Sequence, residues 1–367
     1  MTSSELLTPL SHVHEAAGAR MVEFAGWRMP LQYAGVREEH EACRTHAGLF
    51  DLSHMAEIIV TGVQREEFVQ KMVTNDLSKL KMGGAMYSCL CNEQAQIVDD
   101  LLVYRFETEI WIVANAGNRA AVWALLSKHA EAFEVHLDDR TEAIALIALQ
   151  GPNAEPILQK LADEDLSTLD FYTARRGKIA AREMLISRTG YTGEDGFELY
   201  VENEHALSIW EGLFKADDKL VPVGLAARDT LRLESGFALY GNELSLERTP
   251  YEVSLGWVCK PTKEPAPLVA DALERAKERA TTCLIGLSME GRTVPRAGYE
   301  VHLNGQPVGT VTSGTFSPTL KKGVALAIVE RSVRAPGTEL EIIVRGKPQQ
   351  ATVSQLPFVR GSVKRHS

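Results

Sequence analysis

The sequence predicts an α+β chain of two or three domains whose last part is a small all-β barrel or jelly roll. The chain has 367 residues, and at about 150 residues per domain this length favours more than one domain. A linker at residues 260–267 divides the chain, with three prolines in eight residues and no apolar periodicity. Helical and strand patterns alternate before this linker, whereas strand patterns dominate after it.

The part before the linker mixes two apolar periods. Apolar residues at helical spacing, with cap or stop residues nearby, predict helices at residues 37–46, 65–73, 120–128, 154–161, 205–215 and 224–236. Alternating or continuous apolar runs predict strands at residues 57–61, 85–91, 97–106, 110–114 and 144–149. Asn203 stands where it would cap the helix at 205–215.

The part after the linker begins with one helix and continues as strands. Residues 299–303 and 308–311 flank Asn304-Gly305, a hairpin turn signal because both residues tolerate positive φ. Further strands are predicted at residues 325–329, 339–344 and 351–356. Many short strands in succession are typical of a barrel or jelly roll.

Composition excludes several classes of protein. The formal net charge is −10, which argues against a nucleic-acid partner, since such proteins rely on clustered Lys and Arg. No apolar run approaches the roughly 20 residues of a membrane span. The N-terminus has neither the charge pattern of a secretory signal nor that of a transit peptide. We therefore expect a cytoplasmic protein with no nucleic-acid and no membrane partner.

Cysteine usage and common motifs narrow the possible chemistry. The five cysteines are odd in number and irregular in spacing, which argues against a disulfide framework. Cys89 and Cys91 share a strand face, but no further Cys or His lies at metal-ligand spacing, so we expect reduced thiols and no metal. The sequence contains no dinucleotide fingerprint, phosphate-binding loop, nucleophile elbow or zinc-protease motif.

Two adjacent aspartates are unusual at the start of an apolar strand. Asp99 and Asp100 open the strand at 97–106, although aspartate is depleted in strands. Alternation of side chains places Asp100 on the face of Tyr104 and Asp99 on the opposite face. One of them could serve a catalytic site, or both could cap a turn before the strand. The residues alone favour the turn.

Two further segments stand out. Residues 187–198 contain three glycines, which permit an irregular loop that presents main-chain groups to a ligand, or simply a long hairpin loop. On the helix at 224–236, Arg228 and Arg232 lie one turn apart and face the same way. They fit either a salt-bridged helix face or the recognition of carboxylates, which guanidinium groups bind in pairs of hydrogen bonds.

Together with other motifs, these segments resemble the T-protein family of the glycine cleavage system. The resemblance spans nearly the whole chain, with the motifs in the family's order: Phe24-Ala-Gly-Trp27, Phe50-Asp-Leu-Ser-His-Met55, Thr74-Asn-Asp76, Asp99-Asp100, Arg188-Thr-Gly-Tyr-Thr-Gly193, Gly224-Leu-Ala-Ala-Arg-Asp229, Leu239-Tyr-Gly241 and Thr312-Ser-Gly-Thr-Phe-Ser-Pro-Thr319. The resemblance favours the functional interpretations of the aspartates, the loop and the arginines over the purely structural ones.

The resemblance implies a three-domain cloverleaf around a central funnel that binds folate. We expect a discontinuous α+β folate-binding domain at residues 1–47 plus 142–260. An inserted α+β domain that carries the catalytic aspartate would occupy residues 48–141. A linker and helix at residues 261–280 would lead to a β-barrel domain at residues 281–367.

Family roles carry over where the motifs match. Asp100 matches the catalytic aspartate, Glu198 the acid that hydrogen-bonds the pteridine, and Arg228 a folate-contacting arginine whose charge suits the glutamate tail. Other matches line the folate pocket: Met55, Tyr87, Tyr104 and Tyr191. The C-terminal stretch with Arg360 and Lys364 also resembles one near the folate.

The resemblance implies an aminomethyltransferase that takes a one-carbon unit from the lipoyl arm of H-protein. Tetrahydrofolate is its co-substrate, H-protein supplies the lipoyl group, and no metal is expected. The alternatives are a folate-dependent demethylase and a non-catalytic folate-binding factor of iron–sulfur maintenance. The chain lacks the flavin domain of sarcosine-oxidising relatives and has Phe237-Ala-Leu-Tyr-Gly-Asn242 where the iron–sulfur factor has its hallmark motif.

The chain departs from the family pattern in two places. Ala95-Gln96 stands where many members have two glycines, which could alter the loop at the pocket rim. Residues 267–272 lack the aromatic-x-Gly pattern usual after the linker, a change expected to matter only locally.

Overall fold

The computed structural model describes residues 5–363 of the chain. The N-terminal segment forms a small sheet with two helices: β1 (Leu6–Leu7), α1 (Ser11–Ala16), β2 (Arg20–Phe24), β3 (Trp27–Gln32) and α2 (Val36–Thr45). The sheet has the order β1-β3-β2. Its hairpin turns at Ala25 and Gly26, which have φ values of 53° and 85°. These left-handed values match the primed turns that suit tight hairpins.

The next segment forms a five-stranded sheet covered by two helices. Its elements are β4 (Gly48–Asp51), β5 (Ala56–Thr61), α3 (Arg65–Met72), β6 (Ala85–Cys91), β7 (Ile97–Arg105), β8 (Ile110–Ala114), α4 (Arg119–Ala130) and β9 (His136–Asp139). The strand order is β6-β7-β8-β5-β9, and β4 lies outside this sheet. Apolar residues of α3 and α4, such as Phe68 and Leu126, form a buried core against one face of the sheet. The other face is directed towards the rest of the molecule.

A six-stranded sheet forms the centre of the chain. Its remaining elements are β10 (Ile144–Gln150), α5 (Ala154–Gln159), β11 (Ala174–Ile179), β12 (Arg182–Ser187), β13 (Gly196–Glu202), α6 (Asn203–Ala216), β14 (Val221–Pro222) and α7 (Leu225–Glu234). The strand order is β11-β12-β13-β10-β4-β14. Every residue of β10 is buried, as its continuous apolar run predicts.

The C-terminal part is a closed six-stranded barrel, which confirms the barrel and not the jelly roll. Its elements are α8 (Ala270–Arg279), β15 (Thr282–Met289), β16 (Glu300–Leu303), β17 (Gln306–Ser317), β18 (Lys322–Glu330), β19 (Glu339–Val344) and β20 (Lys347–Ser354). They close in the order β15-β18-β17-β16-β19-β20. Asn304 and Gly305 have φ values of 52° and 75°, so the predicted hairpin turn is confirmed.

Most predicted elements occur within about two residues of their predicted bounds, but one cap is wrong. The N-cap of α6 is Glu202, and no side chain caps this helix end. The Asn203 side chain instead donates a 2.9 Å hydrogen bond to the carbonyl of Glu142. The amide therefore ties the helix to the loop before β10 and does not close the helix end.

The path of the chain between the two large sheets bears on the predicted domains. β4 pairs with β10 in the six-stranded sheet, and the chain enters the five-stranded sheet only at Ala56. This crossing lies a few residues beyond the boundary at residue 47 that we expected. The domain limits themselves stay a prediction.

The loop where the family has two glycines keeps a left-handed residue. Ala95 has a φ of 62°, a value that glycine adopts without steric cost and alanine does not. Asn92 holds the loop, because its side-chain oxygen accepts hydrogen bonds from the main-chain N–H groups of Gln94 and Gln96. The substitution thus leaves the glycine-like backbone conformation in place.

A buried cluster around Glu234 joins the barrel to the central helices. Glu234 ends α7 and accepts hydrogen bonds from Ser317 and Thr319 of the barrel. His40 and Arg44 of α2 contact the same carboxylate at 3.2 and 2.9 Å. Burial raises the pKa of Glu234, but these hydrogen bonds and charges outweigh burial and lower the pKa to about 2. The carboxylate is therefore ionised and fully paired.

Within residues 5–363, no helix is long and apolar enough to cross a membrane.

Candidate active site

A cavity of about 580 Å³ lies where the two large sheets, α7 and the N-terminal hairpin meet. Its walls are mainly apolar, and a few polar side chains converge on it. Such a concave site with few polar groups is typical of small-molecule binding. The polar and charged residues that line it are His54, Tyr87, Asp100, Asn115, Tyr172, Thr189, Tyr191, Glu198, Tyr200, Arg228, Asp229, Thr230, Arg232, Tyr240 and Thr315.

Asp100 reaches the cavity from the middle of β7. Its neighbour on β6 is Cys89, and two residues further along β6 the phenol of Tyr87 donates a 3.0 Å hydrogen bond to Oδ2 of Asp100. Burial raises the pKa of Asp100, while the hydrogen bonds from Tyr87 and Asn115 act in the opposite direction. A carboxylate held by two donors beside an apolar cavity is suited to accept or return a proton.

Asn115 connects the two adjacent aspartates. Its side-chain amide donates hydrogen bonds of 2.8 Å both to Oδ1 of Asp99 and to Oδ1 of Asp100. Strand alternation predicts that these aspartates cannot serve one site, yet a residue at the end of β8 contacts both. Asn115 thus links the two carboxylates, although only Asp100 lines the cavity, as strand alternation predicts.

Asp99 has a different environment from Asp100. It is fully buried, does not line the cavity, and accepts hydrogen bonds from the main-chain N–H of Asn115 and the side chain of Asn118. Asn115 precedes a short 3₁₀ turn and Asn118 is its last residue, so Asp99 holds both ends of this turn. Burial and the neighbouring Asp100 raise the pKa of Asp99, so the pair loses its second proton only at a higher pH than a free carboxyl group.

Glu198 forms a second polar end of the cavity. It lies on β13, and its Oε2 accepts a 2.5 Å hydrogen bond from the hydroxyl of Thr189. Among the described residues, no hydrogen bond reaches its other oxygen, Oε1. Burial raises the pKa of Glu198, although Thr189 and the charge of Arg228 oppose this shift. The carboxyl group can thus accept hydrogen bonds from a ligand.

The glycine-containing loop at 188–195 is a hairpin loop, and it also forms a wall of the cavity. It joins β12 to β13 and places Thr189, Gly190 and Tyr191 at the surface of the cavity. Glycine is required at position 190, since a Cβ there would lie 1.9 Å from the side-chain oxygen of Gln150. Both interpretations of this segment therefore apply.

Arg228 and Arg232 face the same side of α7 but differ in their partners. Arg232 is buried and forms ion pairs with Asp229 and Glu243, so it belongs to the structural network of the helix. The guanidinium of Arg228 lies 4.8 Å from the ring centre of Tyr191, and no carboxylate pairs with it among the described residues. Tyr191 belongs to the same loop as Thr189, the partner of Glu198, so Arg228 and Glu198 both contact this loop. Arg228 is therefore free to contact a ligand.

The structure brings most predicted site residues together and separates two. Met55, Tyr87, Asp100, Tyr191, Glu198 and Arg228 line the cavity. Tyr104 does not, since it is fully buried behind the wall and its hydroxyl lies 3.0 Å from that of Tyr200. Arg360 is exposed and does not line the cavity either. Lys364 lies outside the described residues.

Asn115 and His54 are two polar cavity residues that the sequence did not predict. Asn115 follows β8 immediately, a position where functional side chains often occur, but the sequence around it gave no other signal. His54 precedes the predicted Met55 in the same motif and is 3% exposed. Its ring packs edge-on against Phe24, with 5.5 Å between ring centres.

Within residues 5–363, no group of three or more His, Cys, Asp or Glu side chains is arranged to hold a metal ion. All five cysteines are buried and free.

Two family models cover most of the chain. The model described as the GCVT N-terminal domain matches residues 10–263. The model described as the glycine cleavage T-protein C-terminal barrel domain matches residues 283–360. The second match coincides with the closed barrel.

Relatives of known name match the chain over nearly its full length. An aminomethyltransferase of Geobacillus thermodenitrificans is 47% identical over 96% of this chain and 98% of its own. An aminomethyltransferase of Streptomyces coelicolor is 47% identical over 98% of this chain and 99% of its own. Among solved structures, the glycine cleavage system aminomethyltransferase T of Bartonella henselae matches with a TM-score of 0.92 and 40% identity. That match covers 98% of this chain and 99% of the Bartonella chain.

Proposed function

The chain belongs to the glycine cleavage T-protein family, and on this premise we propose that its central cavity is the site of aminomethyl transfer to tetrahydrofolate. The protein is an aminomethyltransferase, as are the relatives that match it end to end. The one-carbon unit would arrive as an aminomethyl group on the sulfur of a dihydrolipoyl arm. Tetrahydrofolate takes this carbon as a methylene group, the thiol is restored, and the nitrogen leaves as ammonia.

The observation that carries this proposal is the pair of carboxylates in one mainly apolar cavity. Glu198 offers an oxygen without a protein partner at one end, and Asp100 lies on a different sheet, held by Tyr87 and Asn115. A folate needs an acceptor for the amino and amide N–H groups of its ring and a separate group near its reacting nitrogens. The two carboxylates can fill these two roles.

Glu198 and Arg228 would hold the pteridine ring. The carboxylate accepts hydrogen bonds from the ring's N–H donors, and the guanidinium can donate to the ring carbonyl beside them. The charge of Arg228 led us to expect a contact with the glutamate tail. We propose the ring instead, because Arg228 lies over Tyr191, in the same loop as Thr189, which holds Glu198.

Asp100 would move the proton in the transfer. Its carboxylate is held at Oδ2 by Tyr87 and at Oδ1 by Asn115, so its orientation does not depend on the ligand. A raised pKa brings a carboxyl group closer to neutral pH, where it can both take up and return a proton. The surrounding apolar wall keeps water from competing for that proton.

We also propose lipoylated H-protein as the partner that delivers the one-carbon unit. The decisive experiment mixes the protein with aminomethylated H-protein and tetrahydrofolate and measures ammonia and methylenetetrahydrofolate. We expect equal amounts of both products. Without folate, ammonia should not be released at the same rate. Absence of ammonia, together with conversion of a small methylated compound, would replace this function by that of a folate-dependent demethylase.

A further inference from the structure

His54 is a polar side chain in the cavity wall that lacks a partner in the protein. The residue is 3% exposed, and its Nδ1 is buried without any hydrogen bond. Among the described residues, no hydrogen bond involves Nε2 either. Buried polar groups are almost always paired, so an unpaired one calls for an explanation such as a ligand. The ring itself is held in place by Phe24.

The electrostatic environment keeps His54 neutral. Burial lowers its pKa, the charge of Arg228 lowers it further, and Asp51 acts in the opposite direction, with a result of about 4. A neutral imidazole carries one N–H. Because a buried N–H without an acceptor is tolerated less well than an empty lone pair, the hydrogen belongs on Nε2 and not on the sealed Nδ1. His54 is thus a hydrogen-bond donor towards the cavity that needs no positive charge.

Strand pairing places β10 between the strand that bears Glu198 and β4, the strand that precedes His54. Glu198 pairs with Ala148, which pairs with Phe50 on β4, and His54 lies four residues beyond Phe50 along the chain. Ala56 then pairs with Ala114, next to Asn115. His54 therefore lies on the side of Asn115 and next to Phe24, which is 41% exposed.

We propose that His54 positions the p-aminobenzoyl-glutamate part of the folate by donating a hydrogen bond from Nε2 to one of its carbonyl or carboxylate oxygens. This inference rests on the proposed function, which places the pteridine ring at Glu198. With the ring at Glu198, we expect the aminobenzoyl group and its tail to extend towards His54. That part carries oxygen acceptors, and the neighbouring wall residues Phe24, Val22 and Met55 are apolar.

The experiment compares three variants that keep the size of the side chain but move or remove its donor. His54→Phe keeps a ring against Phe24 and removes both nitrogens. His54→Gln carries a donor close to the position of Nε2, whereas His54→Asn carries one close to Nδ1. Binding is measured by calorimetry with tetrahydrofolate and with a tetrahydropterin that has no benzoylglutamate. Thermal melting shows whether each variant is folded.

We expect His54→Phe to weaken tetrahydrofolate binding on the order of 10- to 100-fold, because a hydrogen bond to a charged or strongly polar group is lost. Binding of the tetrahydropterin should stay within about twofold of wild type. His54→Gln should recover most of the folate affinity and His54→Asn should not.

Three results would overturn the role of His54. These are unchanged folate binding in a folded His54→Phe variant, equal losses for folate and tetrahydropterin, and equal recovery by Gln and Asn. If the wild-type protein bound neither compound, the proposed function itself would fail. That outcome is distinct from all three, since each of them requires a wild type that binds folate.

Discussion

The phenol of Tyr87 donates a 3.0 Å hydrogen bond to Oδ2 of Asp100 across two neighbouring strands. This contact orients the carboxylate towards the cavity before any reactant binds. Asp100→Asn keeps the shape of the side chain but removes its charge and its ability to accept a proton. We expect turnover to fall by about 10²–10⁴, the usual contribution of a positioned acid–base group, while folate still binds. Steady-state turnover and folate titration measure the two effects separately.

Asp99→Asn is the matched control for Asp100→Asn. Asp99 does not line the cavity and caps the turn at residues 115–118, so its replacement should cost far less turnover. The replacement should instead lower the melting temperature, since the NH2 group of the amide cannot accept the hydrogen bonds that a carboxylate oxygen accepts. An inactive Asp99→Asn beside an active Asp100→Asn would show that the catalytic aspartate is Asp99 and not Asp100. Mild and equal losses of turnover in both variants would exclude both residues.

Arg228→Ala separates two possible contacts with folate. If the guanidinium holds the ring carbonyl, the variant should bind tetrahydrofolate and a tail-less tetrahydropterin equally poorly, by on the order of 10- to 100-fold. If it holds the glutamate tail, only tetrahydrofolate should bind less tightly. We expect the first result, because Arg228 lies over Tyr191, in the same loop as Thr189, which holds Glu198. Glu198→Ala should lose both compounds in the same way and serves as the reference.

The stability of the protein should depend on pH through His54. The pKa of this histidine is about 4 in the folded state, against about 6.5 in an unfolded chain. Between these values the unfolded state binds more protons, so His54 contributes stability above pH 6.5 that is lost as the pH falls towards 4. Between pH 7.5 and pH 5 the loss is on the order of 2 kcal/mol.

His54→Phe should therefore lose less stability over that pH range than the wild type. Urea unfolding of both proteins at pH 7.5 and pH 5 measures the difference, and the other titrating groups contribute equally to both. Identical pH dependence in the two proteins would show that the folded protein does not lower the pKa of His54.

Folate should raise the melting temperature. A ligand that binds only the native state stabilises it by RT ln(1 + [L]/Kd), which is about 2.7 kcal/mol at a hundredfold excess over Kd. Thermal unfolding is followed with tetrahydrofolate present and absent, beside a known folate protein as a control. No shift here, with a shift in the control, would contradict the assignment of the cavity to folate.

Local patterns were sufficient for most elements and for the residues inside motifs. The strand at 85–91 and the turn at Asn304-Gly305 follow from alternation and from backbone preference, which depend on neighbours in sequence. The placement of Asp100 on the cavity side also follows from alternation, once its family role is assumed. These features need no knowledge of the distant parts of the chain.

Features that depend on the approach of separate elements were not predictable. Tyr104 shares a strand face with Asp100, but the six-stranded sheet covers it with Tyr200 and removes it from the cavity. Asn115 contacts both aspartates only because the turn after β8 folds back over β7. The lack of a hydrogen-bond partner for His54 likewise depends on how the cavity wall is assembled, and no sequence pattern predicts it.

The cluster around Glu234 has a consequence for how reactants enter and leave. Its carboxylate has no exposed surface and holds partners from the barrel, from α2 and from its own helix α7, which also bears Arg228. Swinging the barrel away would strip hydroxyl donors from a buried charge, a change that costs several kcal/mol. We therefore expect the barrel, α2 and α7 to stay together while reactants enter and leave. Exchange of folate should then depend on movements of side chains that line the cavity and not on separation of the barrel from the central helices.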